Sequence, residues 1–389
     1  MRTGVFHQLK QDSVHFGTPA ADALATEVQQ RQARRVFVVT GRTLNRGTPL
    51  VAQALAQIQD RVAGLFDDCI EHTPRDTVIA LAAAVRRAEA DLIVSIGGGT
   101  VIDTVKVALV ALAEGLTRIE ELDDWHMRVG PDGSRVVPQP GMPPCRQIAV
   151  PTTLSGAEFS DLGGCTDTRH GTKQGYTGAW IGPAAVILDP RMTVATPDRL
   201  WLSTGIRAVD HAVEALCSVN AQPLIDATSV RALALLAASL NRYAVDKTDL
   251  DARLEGQLGA WLAATSIRRT EYGASHGMGH ALGADAGVPH GITSCVLLPT
   301  VMRFNASACP GPLAEVAAAL GQPHVPAADQ VEALIDKLGL PTRIGQLGID
   351  RARLPIIARK AMANPWVHTN PRRIADEATV LSLLESAWA

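Results

Sequence analysis

Short apolar runs alternate with segments of helical periodicity through the first half of the chain. The runs are rich in β-branched residues, as expected for strands that are buried on both faces. They lie at Arg35–Thr40, Val62–Phe66, Asp91–Ile96, Gln147–Pro151 and Ala184–Leu188, and helical patterns lie between them at Thr48–Gln59, Pro74–Ala90 and Val101–Gly115. This alternation predicts a mostly parallel sheet covered by helices, with Gly130–Pro144 as an exposed loop or hairpin.

From about Pro190 the pattern changes to long segments rich in Ala and Leu, with no strand between them. The segments with helical periodicity are Ser203–Val219, Ala227–Tyr243, Asp249–Thr265, Gly273–Ala284, Leu313–Ala319, Ala327–Leu338, Arg351–Ala363 and Glu377–Ala387. The predicted fold class is therefore α/β plus all-α. We expect a parallel-sheet domain over residues 1–190 and an all-helical domain over residues 191–389.

Composition and charge exclude several classes of function. The chain has 389 residues, enough for two domains of ordinary size, and 47% of them are hydrophobic. Its formal net charge is −3 and no block of like charge stands out, which argues against a nucleic-acid partner or an anionic membrane surface. No signal peptide and no apolar stretch of about 18 residues is evident. The six cysteines form no CxxC pair. These features predict a soluble cytoplasmic protein with buried free thiols.

A glycine-rich turn, Ser95–Lys106, joins a predicted strand to a predicted helix. Gly97, Gly98 and Gly99 would let the backbone approach a phosphate, and the N–H groups at the helix start would attract it. Thr100 can cap the helix or bond a phosphate oxygen. Asp103 and Lys106 lie on the first turns, near the expected path of the ligand. The turn lacks the GxGxxG fingerprint, so an ordinary tight βα turn is the alternative.

Two further strand ends carry candidate cofactor residues. The first strand is followed by Gly41 and Arg42, with no acidic residue there to bond a ribose 2′-hydroxyl and repel a 2′-phosphate. We therefore expect NADPH to be used as well as NADH, unless Arg42 is only a solvated surface charge. Thr152 and Thr153 follow the strand Gln147–Pro151 and offer hydroxyls at the sheet edge where such folds bind ligands, although capping threonines of a turn would look the same.

Histidines converge in the second half of the chain. His276 and His280 share one helix face, as do Arg207 and His211, because each pair is spaced i,i+4. His290 follows in a Pro-His-Gly segment. Histidines that face one cavity could bind a divalent metal, or they could donate protons beside a carbonyl. A zinc-protease site is excluded because the glutamate of HExxH is missing.

Together these segments resemble the iron-containing alcohol dehydrogenase superfamily. That superfamily shows a GGGSxxDxxK turn, a PTT segment, a G-x-D-A-x-x-H-A-x-E helix, an HxxxH segment and PHG. The corresponding segments here are Gly97–Lys106, Pro151–Thr153, Gly205–Glu214, His276–His280 and Pro289–Gly291. The resemblance implies a dehydroquinate synthase-like fold: an N-terminal dinucleotide-binding domain, a helical catalytic domain and a cleft between them. It also implies that Gly97–Thr100 contact the pyrophosphate, that Thr152 and Thr153 help hold the cofactor, and that His280 lies by the nicotinamide.

One position departs from the superfamily pattern. Its metal site uses one Asp and three His, and here His211, His276 and His290 match the histidines while Arg207 stands at the Asp position. A guanidinium cannot ligate a cation and repels one nearby. Asp210 points elsewhere on the helix, and we expect it to pair with Arg207. The maleylacetate reductase branch also lacks that Asp and is metal-independent, so the resemblance favours a chain without Fe or Zn.

The function implied is an NAD(P)H-dependent reduction of an unsaturated or oxo dicarboxylate, such as maleylacetate to 3-oxoadipate in the catabolism of aromatic compounds. Arg207 would bind a substrate carboxylate, and His211, His276, His280 or His290 would donate a proton or stabilise an enolate. The alternatives are a metal-dependent alcohol dehydrogenase using His211, His276 and His290, a sugar-phosphate cyclase, and a non-catalytic nucleotide-binding descendant. A homodimer is the expected assembly.

Overall fold

The computed structural model describes residues 3–129 and 134–389, and it divides the chain into two units. The first is His7–Thr196, and the second is Pro197–Ala389 together with the N-terminal segment as far as Phe6. The sequence had placed a single boundary after Pro190. The N-terminal segment belongs with the helical unit because Phe6 packs against a buried cluster of Ala215, Ile225 and Tyr272.

A parallel sheet of six strands forms the centre of the first unit, as predicted. The strands of this unit are β1 (Ser13–Phe16), β2 (Val36–Thr40), β3 (Val62–Phe66), β4 (Leu92–Gly97), β5 (Arg128–Val129), β6 (Arg135–Val136), β7 (Arg146–Pro151), β8 (Leu162–Asp167), β9 (Thr172–Thr177) and β10 (Ala185–Leu188). Its helices are α1 (Ala20–Gln30), α2 (Arg42–Gly47), α3 (Leu50–Leu55), α4 (Arg75–Arg87) and α5 (Gly99–Ala113). The sheet order is β1-β10-β7-β4-β2-β3, and every neighbouring pair in it is parallel.

Alternate residues of the central strands enter two different cores. Val36 and Val38 belong to the cluster on one face of the sheet, whereas Phe37 and Val39 belong to the cluster on the other. Successive side chains of a strand point to opposite faces, so a strand covered on both sides must be apolar throughout. Burying one such side chain stabilises the fold by roughly 1.5–3 kcal/mol. This explains why these strands were visible as uninterrupted apolar runs.

The sheet order reverses its direction between β2 and β4. From β2 the chain first adds β3 on one side, and it then crosses to add β4 on the other. Thr40 lies opposite Ile96 in the register, so the ends of both strands open at the same edge. Such a reversal is where open α/β sheets bind their ligands. The residues that follow these strands are Gly41 and the glycines of the predicted cofactor turn.

The sequence missed β1, α1 and the antiparallel hairpin of β8 and β9. The hairpin has two glycines in its first strand and polar residues in its second, so it lacks the apolar run that marked the sheet strands. The predicted loop or hairpin over Gly130–Pro144 falls partly on residues 130–133, which lie outside the described ranges. In the described residues, β5 and β6 pair antiparallel, and β6 lies inside the predicted segment.

Helices alone make up the regular structure of the second unit in its described residues, as predicted. They are α6 (Asp198–Leu216), α7 (Pro223–Val245), α8 (Leu250–Ala264), α9 (Ala274–Ala286), α10 (His290–Asn305), α11 (Pro310–Ala319), α12 (Ala327–Lys337), α13 (Leu354–Met362), α14 (Pro365–His368) and α15 (Glu377–Trp388). The sequence missed α10 because Pro299 lies inside it, and an interior proline normally ends a helix.

One helix, α7, is long and apolar enough by composition to cross a membrane, where the sequence analysis had found no such stretch. In its most apolar window 39% of the residues are buried within the fold. It packs against α6 and α8. A core helix of a globular domain has the same length and composition, so this single helix is weak evidence for a membrane span.

Candidate active site

The glycine turn lies between the end of β4 and the start of α5. A Cβ atom added at Gly97 would lie 2.7 Å from Val101 Cγ2, and one added at Gly98 would lie 2.9 Å from Thr153 Cγ2. The turn therefore needs glycine for its own packing, before any ligand is considered. The first N–H groups of α5 have no acceptor within the helix, and they provide the positive end that a phosphate would meet.

Thr152 and Thr153 lie beside this turn, at the end of β7. The N–H of Thr152 donates to the carbonyl of Gly97 over 3.0 Å, and Thr153 Oγ1 donates to Ser155 Oγ over 3.2 Å. Both threonines are buried. The structure thus brings together two of the segments that the sequence proposed for cofactor binding. Contact of Gly97–Thr100, Thr152 and Thr153 with a cofactor stays a prediction.

Asp103 and Lys106 connect α5 to the hairpin strand β8. The buried ammonium of Lys106 donates to the carbonyl of Ala157, to Ser160 Oγ over 3.1 Å and to the carbonyl of Leu162 over 2.7 Å. It also lies 3.3 Å from Asp103 Oδ1. Asp103 Oδ2 in turn accepts from the N–H of Gly164 over 3.0 Å. The lysine amine is therefore engaged by the protein itself, and the cofactor role predicted for Asp103 is untested.

Glu158 is a buried carboxyl close to this lysine. Its Oε2 has no hydrogen-bond partner within residues 3–129 and 134–389, and 1% of the residue is exposed. Burial raises the pKa of Glu158 to about 7, although Lys106 partly opposes the shift. The carboxyl is therefore protonated in the folded protein at mildly acidic pH, where an unfolded glutamate has already ionised.

We expect Glu158→Gln to stabilise the protein at about pH 8 by roughly 2–3 kcal/mol. Because the pKa is raised on folding, the stability that Glu158 contributes falls as pH rises from about 4.5 through about 7. The neutral amide avoids that loss, so the advantage of the variant should vanish near pH 4. Urea unfolding at several pH values measures it. The exposed Glu120→Gln is the control, and a gain that is independent of pH would contradict the prediction.

Arg42 forms an ion pair with Asp68, which follows β3. The sequence had noted the arginine but not this carboxylate, because the two residues become neighbours only through the pairing of β2 with β3. Both side chains are largely exposed, at 62% and 55%. A 2′-phosphate that approached Arg42 would thus also meet Asp68, and the carboxylate should weaken any binding of NADPH through Arg42.

Removal of this carboxylate is expected to favour NADPH. Asp68→Ala should raise the ratio of kcat/KM with NADPH to that with NADH about tenfold, because Arg42 gains an unpaired guanidinium for the phosphate. Steady-state kinetics with both cofactors measures the ratio. Asp60→Ala, which breaks a different exposed ion pair with Arg61, is the matched control. An unchanged ratio would show that Arg42 does not reach the phosphate.

In the second unit, α6 carries a buried row of polar side chains. Arg207 Nη1 donates to Ser294 Oγ over 3.0 Å and lies 3.4 Å from Asp210 Oδ2. This confirms the expected pairing of Arg207 with Asp210. The same carboxylate oxygen accepts from Ser294 Oγ over 2.6 Å and from Ser275 Oγ over 3.0 Å. The arginine is thereby held by α6 and α10, and the aspartate by α6, α9 and α10.

The pKa values of Arg207 and Asp210 shift in the directions expected from burial and from the nearby charges. Burial lowers the pKa of Arg207, although Asp210 opposes that effect. Burial by itself would raise the pKa of Asp210, but His276 and Arg207 outweigh it and hold the carboxyl below its usual range. We conclude that the two residues form a buried ion pair.

Glu214, one turn further along α6, binds the start of α9. Its carboxylate accepts from the N–H groups of Gly273 over 2.9 Å, Ser275 over 2.8 Å and His276 over 3.3 Å. It also accepts from Nδ1 of the His276 ring over 2.8 Å. In the sequence, Glu214 is recognisable only as the last residue of the Gly205–Glu214 motif. Its spacing of four residues from Asp210 places the two on one helix face, which was the available signal.

The predicted histidines lie among aromatic rings. The ring of His211 is 5.0 Å from that of His276, and the ring of His280 is 5.2 Å from that of His290. Trp366 connects the two pairs, at 5.7 Å from His276 and 5.0 Å from His280. The sequence did not predict a role for this tryptophan.

Tyr272 closes the other side of this cluster. Its ring stacks on His276 at 4.0 Å and on His211 at 5.5 Å. Burial lowers the pKa of His211 well below its usual range, and the charges of Arg207 and His276 lower it further. His211 is therefore neutral at physiological pH, and it is a poor proton donor in the absence of a ligand.

The residues present do not fit a bound cation. Within residues 3–129 and 134–389, the group of possible ligands close enough to share a metal is Asp210, Glu214 and His276, not the predicted His211, His276 and His290. The oxygens of Glu214 accept bonds from α9, and Nδ1 of His276 donates a proton to them. The Arg207 cation, 3.4 Å from Asp210, would repel a metal at that carboxylate.

Comparison with known proteins identifies the family. The sequence profile described as iron-containing alcohol dehydrogenase matches residues 12–190, and the profile for the C-terminal part of the Fe-containing alcohol dehydrogenase family matches residues 201–388. The chain belongs to the iron-containing alcohol dehydrogenase family. Members of this family are oxidoreductases, and the predicted superfamily and fold are therefore confirmed.

Individual members of the family match over almost the whole chain. Dehydrogenase FUM7 of Gibberella moniliformis is 32% identical and covers 98% of each sequence. The maleylacetate reductase of Burkholderia cepacia is 28% identical, covering 96% of this chain and 95% of its own. The crystal structure of maleylacetate reductase from Agrobacterium tumefaciens has a TM-score of 0.82 at 26% identity, covering 100% and 99%. Because a dehydrogenase of another name matches more closely than these reductases, the branch within the family stays a proposal.

Proposed function

We propose that this member of the family is an NAD(P)H-dependent reductase of an unsaturated or oxo dicarboxylate, with maleylacetate as the leading substrate. One observation carries the proposal: a buried guanidinium, that of Arg207, lies beside Asp210 and Ser294 at the position where the superfamily pattern has a metal-binding aspartate. The family resemblance adds support, because maleylacetate reductases are among its relatives at 28% identity.

Arg207 has the remaining hydrogen-bonding capacity that a carboxylate needs. The bonds that the structure gives to its guanidinium come from Nη1 alone, so Nε and Nη2 have no acceptor in the described part of the chain. About 10% of the side chain stays accessible. Two parallel N–H groups match the two oxygens of a carboxylate, and the desolvated surroundings strengthen the pair.

The chemistry requires a hydride and a proton. When bound, the reduced nicotinamide supplies the hydride, which adds to the carbon of the double bond distal to the ketone. The electron pair of the double bond then moves toward the ketone oxygen, giving an enolate that is protonated on carbon. Arg207 would orient the substrate through its carboxylate, and the cluster of His276, His280 and His290 would stabilise the enolate and transfer the proton.

The turn at Gly97–Thr100, with Thr152 and Thr153, would hold the cofactor phosphates. Support comes from the position of these residues at the reversal of the sheet order. We propose that both NADH and NADPH are used, with the preference set by Arg42 and Asp68. A cytoplasmic homodimer remains part of the proposal.

The test is a spectrophotometric assay of nicotinamide oxidation with maleylacetate, simple aldehydes and secondary ketones. We expect turnover of the dicarboxylate to exceed that of every neutral carbonyl compound by at least about tenfold in kcat/KM, which corresponds to about 1.4 kcal/mol of discrimination. Neutral aldehydes as the better substrates would overturn the proposal. No turnover of any compound would favour a protein that binds nucleotide without catalysis.

A metal-dependent alcohol dehydrogenase is the second candidate, favoured by the proximity of Asp210, Glu214 and His276. We expect activity to be unchanged after treatment with a chelator, because Arg207 supplies the positive charge that a metal would otherwise provide. Activity before and after dialysis against EDTA, with metal analysis of untagged protein, measures this. Near-stoichiometric metal, with activity lost to the chelator and restored by Fe²⁺ or Zn²⁺, would establish the second candidate.

A further inference from the structure

Glu214 serves two partners with one carboxylate. It accepts from three backbone N–H groups at the start of α9, and it accepts from Nδ1 of the His276 ring. The residue is 5% exposed, so no water competes strongly for these bonds. Since the first N–H groups of a helix have no partner within it, Glu214 satisfies donors that would otherwise be buried without an acceptor.

The bond to Nδ1 determines which nitrogen of His276 remains for a ligand. Because a carboxylate can only accept, Nδ1 must carry a proton, whatever the state of the other nitrogen. Nε2 is buried and has no hydrogen-bond partner among the described residues. A buried polar atom without a partner costs roughly 1–3 kcal/mol, and a ligand atom at hydrogen-bonding distance would recover that cost.

Packing leaves the ring little freedom to choose another orientation. Tyr272 stacks on one side of it at 4.0 Å, and Trp366 meets it edge-on at 5.7 Å and 89°. Asp210 Oδ1 lies 3.5 Å from the same Nδ1 atom, so two carboxylates favour a proton there. A ring flipped by 180° would place the carbon Cδ2 against both acids and lose the bond to Glu214.

We propose that Glu214 is a positioning residue, which couples the start of α9 to the His276 ring and thereby keeps Nδ1 protonated and Nε2 directed to the substrate. Its effect on turnover rests on the proposed function, whereas its effect on the ring does not. Two different measurements therefore separate a failure of this inference from a failure of the proposed function.

The first measurement is NMR spectroscopy of the full chain labelled with ¹⁵N-histidine. The signals of the His276 ring are assigned as those missing from the spectrum of His276→Gln. In the wild type we expect a proton on Nδ1, and in Glu214→Gln a shift of the neutral ring toward protonation on Nε2. This readout needs no substrate. If the protonation pattern of His276 is the same in both proteins, the inference is wrong.

The second measurement is kinetic. With a dicarboxylate that the wild-type enzyme reduces, Glu214→Gln should lower kcat about 10- to 100-fold and change KM by less than about threefold. A loss of this size is usual when the partner that orients an active-site histidine is removed. The exposed Glu315→Gln is the matched control and should change neither value. An unchanged kcat would overturn the inference.

Asn370→Ala separates positioning from simple stabilisation of α9. Asn370 Oδ1 accepts from the N–H of Ala274 over 3.1 Å, so this variant weakens the same helix end without touching the ring. We expect it to lower the melting temperature, as Glu214→Gln should, while leaving kcat and the His276 protonation state unchanged. If Asn370→Ala lowers kcat equally, Glu214 acts only through the helix. Should Glu214→Gln fail to fold, Glu214→Asp, which keeps the charge but shortens its reach, replaces it in both measurements.

Discussion

Arg207→Ala is expected to lower kcat/KM for a dicarboxylate by about three orders of magnitude. The variant loses the paired N–H groups that we assign to a substrate carboxylate, and it leaves Asp210 without its arginine inside the fold. Truncating one partner of a buried, hydrogen-bonded charge pair typically costs roughly 2–5 kcal/mol, and about 1.4 kcal/mol corresponds to a factor of ten. Most of the loss should appear in KM, because anchoring acts on the bound substrate before the chemical step.

Two further variants make this result interpretable. Arg207→Lys keeps the charge but not the planar pair of donors, so it should fall between the wild type and the alanine variant. Arg199→Ala removes an exposed arginine from the same helix and should leave kinetics and stability unchanged. If Arg207→Ala turned over a dicarboxylate with wild-type kcat and KM, the anchoring role would be wrong and the proposed substrate class would lose its main support.

Lys106→Met is expected to lower the free energy of unfolding by roughly 3–5 kcal/mol. The ammonium is fully buried and donates to the carbonyls of Ala157 and Leu162 and to Ser160 Oγ. Methionine keeps the length and apolar stem of the side chain but removes the buried cationic donor from these acceptors and from the nearby Asp103, whose other oxygen keeps its bond from the N–H of Gly164. Uncompensated buried groups of this kind produce the largest losses seen for single substitutions.

Chemical denaturation measures this loss, and the exposed Lys337→Met, which removes one surface hydrogen bond to Asn241, is the matched control. The prediction also separates two roles for the lysine of the glycine-rich motif. If Lys106 mainly contacted a cofactor, the variant would unfold like the wild type in the absence of nucleotide, and only the stabilisation by added NADH would be reduced. An equal loss of stability with and without NADH is what the internal hydrogen bonds predict.

The two halves of the chain differ in how much of their structure the sequence could reveal. Strands covered on both faces must be apolar throughout, so β2, β4 and β7 were located to within a residue or two. The edge strand β3 is only partly buried, but it is also an apolar run and was located as well. The hairpin of β8 and β9 is only partly buried and contains glycines, so it carried no such pattern. Helix α10 was missed because Pro299 lies inside it, and an interior proline normally ends a helix.

Candidate site residues divide in the same way. The glycines and threonines of the cofactor turn follow predicted strands, so their position at the sheet edge could be foreseen. The partner of Arg207 was also foreseeable, because Asp210 is one turn away on the same helix. In contrast, the ion pair of Arg42 with Asp68 depends on which strands are neighbours, and the sequence does not state the strand order.

By itself, the sequence determined the family, the two-domain organisation and the departure at Arg207, because these depend on residue identity and on periodicity along the chain. Only the tertiary structure decided what surrounds those residues. It showed that Lys106 donates its hydrogen bonds inside the fold, that Glu214 of α6 binds both the start of α9 and the His276 ring, and that Trp366 contacts two histidines. Each of these contacts joins residues that are distant along the chain, and their proximity is a product of tertiary packing that no local pattern encodes.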